Sequence, residues 1–277
     1  MAQKQKEMSF LGHLEELRWH LVRGASAIII LAIVFFIYAE DVYNYFLLAH
    51  IKPDFITYQL FCKFFNLFGM DSAYCHVSFA DKKLQSIEVT SQLMNSIWSS
   101  IILGVIVAFP YLLYEIWRFI APGLTENEVK KSRGFIFIAS LLFFIGVLFS
   151  FYVIAPISVH FLYNYQISES IVNNFTLQSH IGLITNMLLG VSILFELPVL
   201  IYFLTKIGLI TPEFLKKYRK HALVVVLIVA AIITPPDIAS QVIVAIPILI
   251  LYEIGIKVSS RVLKKQQKEA KKSQKNN

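Results

Sequence analysis

Long runs without a single charged side chain constrain this chain more than any other feature. Val89 to Tyr114 is one such run, Gly24 to Ala39 a second and Ile181 to Phe195 a third. A helix needs about 20 apolar residues to cross a hydrocarbon core about 30 Å thick. Inside that core no water can satisfy backbone N–H and C=O groups, so self-bonded helices are the expected solution. Composition agrees, with 57% hydrophobic and 16% charged residues and a mean hydropathy of +0.64. Such values belong to membrane proteins rather than soluble domains. The expected class is an all-α membrane protein.

Six transmembrane helices are expected. The first, Gly24 to Ala39, can be extended by Trp19 to Val22; residues 1–23 before it read as an amphipathic cytoplasmic segment. No small-residue cleavage site follows this run, so the span is expected to be retained. Residues 40–88 form a first external loop. Val89 to Tyr114, continuing through Ile116 and Trp117, is the second span, and 118–133 is a compact polar loop. Gly134 to about Phe161 is the third span, residues 164–179 a second external loop, and Ile181 to Thr205 a fourth span interrupted by Glu196 and Pro198. Two short runs follow, Ala222 to Thr234 and Ile238 to Tyr252, divided by Pro235-Pro236-Asp237. At about 1.5 Å per residue they measure roughly 20 and 22 Å, so they form either a partial hairpin or two spans in a thinned bilayer. The transmembrane domain is thus expected over 24–256, and the Lys-rich stretch 257–277 as a basic, disordered cytoplasmic tail.

Charge sets the orientation. The net charge is +7, and of 25 Lys and Arg only Lys52, Lys63, Lys82 and Lys83 fall on the outer side of a six-span chain. That asymmetry places both termini in the cytoplasm and removes the case for a nucleic-acid partner. Neither a phosphate-cradling Gly-rich loop nor an HExxH pair occurs, so no cofactor or metal is expected.

Several residues stand out. Phe10, Leu14, Leu17 and Leu21 recur at helical spacing, with Glu16, Arg18 and His20 on another face. Such a helix is either an interfacial anchor or a recognition surface for a basic peptide. Thr125 and Glu128 fit a capping box, yet Glu16 and Glu128 share one membrane face at the mouths of two spans. Two converging carboxylates would suit guanidinium groups, which bind carboxylate bidentately as lysine cannot. Glu196 sits between charge-free runs. It is either a protonated or hydrogen-bonded packing residue or a polar notch facing a partner helix or cavity. Asp237 can cap the last helix, while Thr234 and Gln241 can hydrogen-bond a neighbouring one. Cys62 and Cys75 share one external segment, as a disulfide or as two free thiols.

Four strings in this order, HLEELR at 13–18, FIAPGLTENE at 119–128, GVSILFELPV at 190–199 and TPPDIASQ at 234–241, resemble the TatC family, the multispanning receptor of the twin-arginine translocase. The resemblance covers Phe10 to about Arg261. It implies a multi-pass protein of the bacterial inner membrane, not an enzyme, which binds the paired arginines of signal peptides on folded cargo. It also implies self-association, assembly with the single-span subunits TatA and TatB, and transport driven by the proton-motive force. By position, Glu16 and Glu128 would bind the arginines, and Leu17, Arg18 and Phe119 would shape the site. Glu196 would face the concave cavity, and Thr234, Pro235, Pro236, Asp237 and Gln241 would form the external turn and partner contact. The chain departs from the family pattern at Leu48-Ala49-His50, where a proline usually follows the alanine. A proton-coupled solute transporter built on Glu196 would need more polar groups at the midplane, and an intramembrane hydrolase would need a nucleophile–base pair that the sequence lacks.

Overall fold

The computed structural model describes residues 10–69, 75, 77, 79, 83–120, 132–168, 170–234 and 238–275. Its regular secondary structure among these residues is helical, apart from one bridge between Gln85 and Thr176. Five helical segments are long and apolar enough to cross a membrane: Leu14–Ile37, Ser91–Ile120, Gly134–Asn164, Leu177–Lys206 and Gln241–Lys268. The residues fall into two compact units, one of Met1–Val42 and Leu93–Leu141, the other of Tyr43–Gln92 and Leu142–Asn277.

The first unit is built on α1 (Phe10–Ile37), the short α2 (Ala39–Val42), α4 (Ser91–Ile120) and the start of α5 (Ser132–Phe149). The HLEELR string is not a separate interfacial piece: α1 runs unbroken from it into the apolar span. With no proline between Phe10 and Ile37, nothing in that stretch interrupts the ladder. Close packing of α1 on α4 depends on Gly104, where an added Cβ would lie 2.9 Å from the Ile28 carbonyl oxygen.

In the second unit, α3 (Ile56–Leu67) and the rest of α5 are followed by α6 (Ala155–Asn164), α7 (Leu177–Phe195) and α8 (Leu197–Lys206). Three more helices complete it: α9 (Pro212–Lys217), α10 (Arg219–Ile233) and α11 (Ile238–Lys275). Between α5 and α6 lies a π-helical turn, Ser150–Ile154. Pro156 has no N–H to offer the carbonyl four residues earlier, Tyr152, and the π-turn leaves Phe151 O free as well. The segment after α2 and the first turn of α3 take up both. Thr57 Oγ1 donates to Tyr152 O at 2.5 Å, and His50 Nε2–H donates to Phe151 O at 2.8 Å. The Tyr58 hydroxyl lies 2.8 Å from His50 O and 3.2 Å from Pro156 O. His180 Nε2–H reaches Leu47 O at 3.2 Å, which leaves Nδ1 to accept from the Tyr163 hydroxyl at 2.9 Å. His50, at the position where the family pattern has proline, is thus a buried anchor of this cap.

Two expectations need correction. The last helix is not short, and the basic stretch is not disordered as far as Lys275: α11 continues through it for 38 residues. Lys, Glu, Gln and Ala, which make up all of 264–275 but Ser273, are strong helix formers, and an existing helix propagates into them without a new nucleus. By contrast α10 has 15 residues, about 22 Å, and falls short of a full crossing by length. Gln241 Nε2 donates to Leu227 O at 3.1 Å, tying α11 to α10.

Candidate functional site

The N-terminal end of α1 and the C-terminal end of α4 meet within the first unit, through His20 and Arg23 on one helix and Glu115 and Phe119 on the other. Glu16 and Leu17 are half-buried, and Arg18 is exposed. Arg18 pairs with Glu15 at 3.1 Å and lies 5.6 Å from the centre of the Trp19 ring. Phe119, in the last turn of α4, meets the His20 ring edge-on at 6.1 Å between centroids. Glu128 lies outside the described residues, as do Pro235, Pro236 and Asp237.

Beneath these residues lies a cluster that the sequence reading passed over. Glu115 is 4% exposed, the only carboxylate so deeply buried among the described residues. Its Oε2 is hydrogen-bonded to His20 Nδ1, and the Arg23 guanidinium stands 3.8 Å away. The Tyr111 side chain lies beside the same carboxylate, one turn earlier on α4. A buried carboxylate without such partners would cost several kcal/mol, so these groups belong together. The signal was available in the sequence. Glu115 interrupts an apolar run at the end of a span, and an ionisable group there is a candidate for function by default.

Glu196 caps the end of α7, where Pro198 breaks the ladder and α8 begins. Both its carboxylate oxygens are enclosed, with the Phe143 backbone beside them and no hydrogen bond of sound geometry among the described residues. One turn earlier, Gly146 lets α5 approach α7 so closely that an added Cβ would lie 2.8 Å from Ser192 Cα. Thr234 is buried and its hydroxyl donates back to Ala230 O at 2.9 Å on its own helix. Glu253, on α11, pairs with the half-exposed Arg219 of α10 at 2.8 Å. Cys62 and Cys75 are joined in a disulfide. No group of three or more His, Cys, Asp or Glu is placed to hold a metal among the described residues.

Residues 12–247 match the family model described as Sec-independent protein translocase protein (TatC). A TatC from Blattabacterium sp. subsp. Periplaneta americana (strain BPLAN) is 41% identical over 96% of this chain and 100% of its own length. TatCy of Bacillus subtilis (strain 168) is 32% identical over 96% of this chain and 94% of its own. A crystal structure described as the twin-arginine translocase receptor TatC superposes with a TM-score of 0.68 at 30% identity, covering 91% of this chain and 99% of that one. The relatives are components of a protein translocase, and five apolar helices make this a multi-pass membrane protein. The chain belongs to the TatC family, whose members are Sec-independent protein translocase proteins.

Proposed function

We propose that this protein is the signal-peptide receptor of a twin-arginine translocase in a bacterial inner membrane, with six spans and both termini in the cytoplasm. Glu16 and Glu128 take the two guanidinium groups, while Leu17, Arg18 and Phe119 shape the groove. The observation that carries this reading is the half-buried Glu16 on α1, held in one unit with Phe119 at the end of α4. Each carboxylate–guanidinium hydrogen bond contributes about 1.5–3 kcal/mol when partly desolvated. Lysine keeps the charge but loses the bidentate fork. Binding, not chemistry, is the task. Several copies assemble with TatA and TatB, and export of folded cargo draws on the proton-motive force. Glu196, Thr234 and Gln241 offer polar contacts to partner helices, and the Pro235-Pro236-Asp237 turn closes the outer end.

The test uses the full chain in membranes and a photo-crosslinking signal peptide carrying Arg-Arg. Glu16→Ala and Glu128→Ala are each expected to lose most crosslinking while the protein still inserts. Normal crosslinking by both variants would overturn the assignment.

A further inference from the structure

The buried pair His20–Glu115 joins two helices one turn away from the residues assigned to peptide binding. Glu16 and His20 are four apart on α1, and Glu115 and Phe119 are four apart on α4, so each pair shares a face. The His20 ring bridges the two faces. It is hydrogen-bonded to Glu115 on one side and set edge-on against Phe119 on the other. The Arg23 guanidinium adds a cationic group 3.8 Å from the carboxylate. Buried ion pairs add little net stability compared with apolar residues of the same shape, but they penalise wrong registers because a misplaced partner leaves a charge unpaired. A shift or rotation of α1 against α4 would therefore break this clasp before it broke the apolar packing. Bidentate arginine recognition, in turn, requires the accepting carboxylate to be held in a fixed direction.

We propose that Glu115 is a positioning residue for twin-arginine recognition: through His20 it fixes the setting of Glu16 and Phe119, and so the preference for arginine over lysine. This rests on the receptor reading above. The measurement is the ratio of crosslinking by an Arg-Arg peptide to that by its Lys-Lys counterpart, in membranes carrying the full chain. A smaller amount of folded protein lowers both signals together and leaves the ratio unchanged, whereas loss of positioning lowers the Arg-Arg signal alone. Glu115→Leu and His20→Leu are both expected to lower the ratio by at least about threefold. Glu115→Gln keeps an acceptor for the ring and is expected to stay near the wild-type ratio.

His20→Leu decides between positioning and charge. If Glu115→Leu lowers the ratio and His20→Leu does not, Glu115 acts through its own charge and the positioning role is overturned. It is overturned equally if both leave the ratio intact. Glu16→Ala separates this from failure of the receptor reading: a normal ratio there sinks the binding site itself, while its loss beside an unchanged His20→Leu sinks only the clasp.

Discussion

Thr57 fills the gap that Pro156 opens. Its hydroxyl donates at 2.5 Å to the Tyr152 carbonyl, the acceptor that a residue with an N–H at position 156 would have used. A helix broken by proline inside a membrane protein exposes polar backbone that must be satisfied from elsewhere. Here His50, Thr57 and Tyr58 supply the donors.

Thr57→Val keeps the side-chain shape and removes the donor. The loss expected is about 1–3 kcal/mol, the cost of an unsatisfied buried carbonyl. In a Pro156→Ala background the restored N–H can compete for the same oxygen, so the cost of Thr57→Val should shrink. Thermal unfolding of the four proteins in detergent, read as a double-mutant cycle, checks this. Equal costs in both backgrounds would break the link between the two residues.

His50 makes the cap sensitive to acid. Burial lowers its pKa to about 4 from 6.5, against the opposing hydrogen bond to Phe151 O. Below pH 6.5 the unfolded chain takes up a proton that the folded one refuses, so stability falls as pH drops from about 6.5 to about 4 and then levels off. Integrated over that window the loss is on the order of 3 kcal/mol. Between pH 7 and 8 the residue contributes no slope. Melting temperatures of wild type and His50→Gln across pH 4 to 8 should show a shallower acid limb in the variant.

The Cys62–Cys75 bridge closes a loop of 13-residue separation. Chain-entropy arguments give about 3 kcal/mol for a loop of this size. A Cys62→Ser, Cys75→Ser double variant should unfold at lower temperature, and wild type in reductant should match it. Thiol alkylation without reductant should leave wild type unlabelled.

Gly104→Ala should loosen the first unit specifically. A methyl group 2.9 Å from a backbone oxygen cannot be accommodated by a side-chain rotation. A cost of about 1–3 kcal/mol is expected. Because the same packing sets His20 against Glu115, the variant should also lose preference for Arg-Arg peptides, whereas Gly134→Ala, with open space at its Cβ, should keep both properties.

Much of the fold was legible because charge-free runs leave a chain few alternatives. The break at Glu196-Leu197-Pro198 and the cysteine segment were visible in the same way. What escaped depended on distance along the chain. Glu115 stood out only as a charge interrupting an apolar run, since nothing local announces that His20 and Arg23, on another helix, will meet it. His50 looked like a departure from a proline pattern, and its meaning lies in one carbonyl, Phe151 O, about a hundred residues later. The length of α11 was misjudged for a different reason: a lysine-rich composition suggests disorder in isolation, but not when an established helix runs into it.

That helix has a geometric consequence. Thirty-eight residues at about 1.5 Å each make a rod of about 57 Å, nearly twice a bilayer's hydrocarbon thickness. A fluorophore attached at position 275 would therefore report the orientation of the final helix rather than the wandering of a loose end.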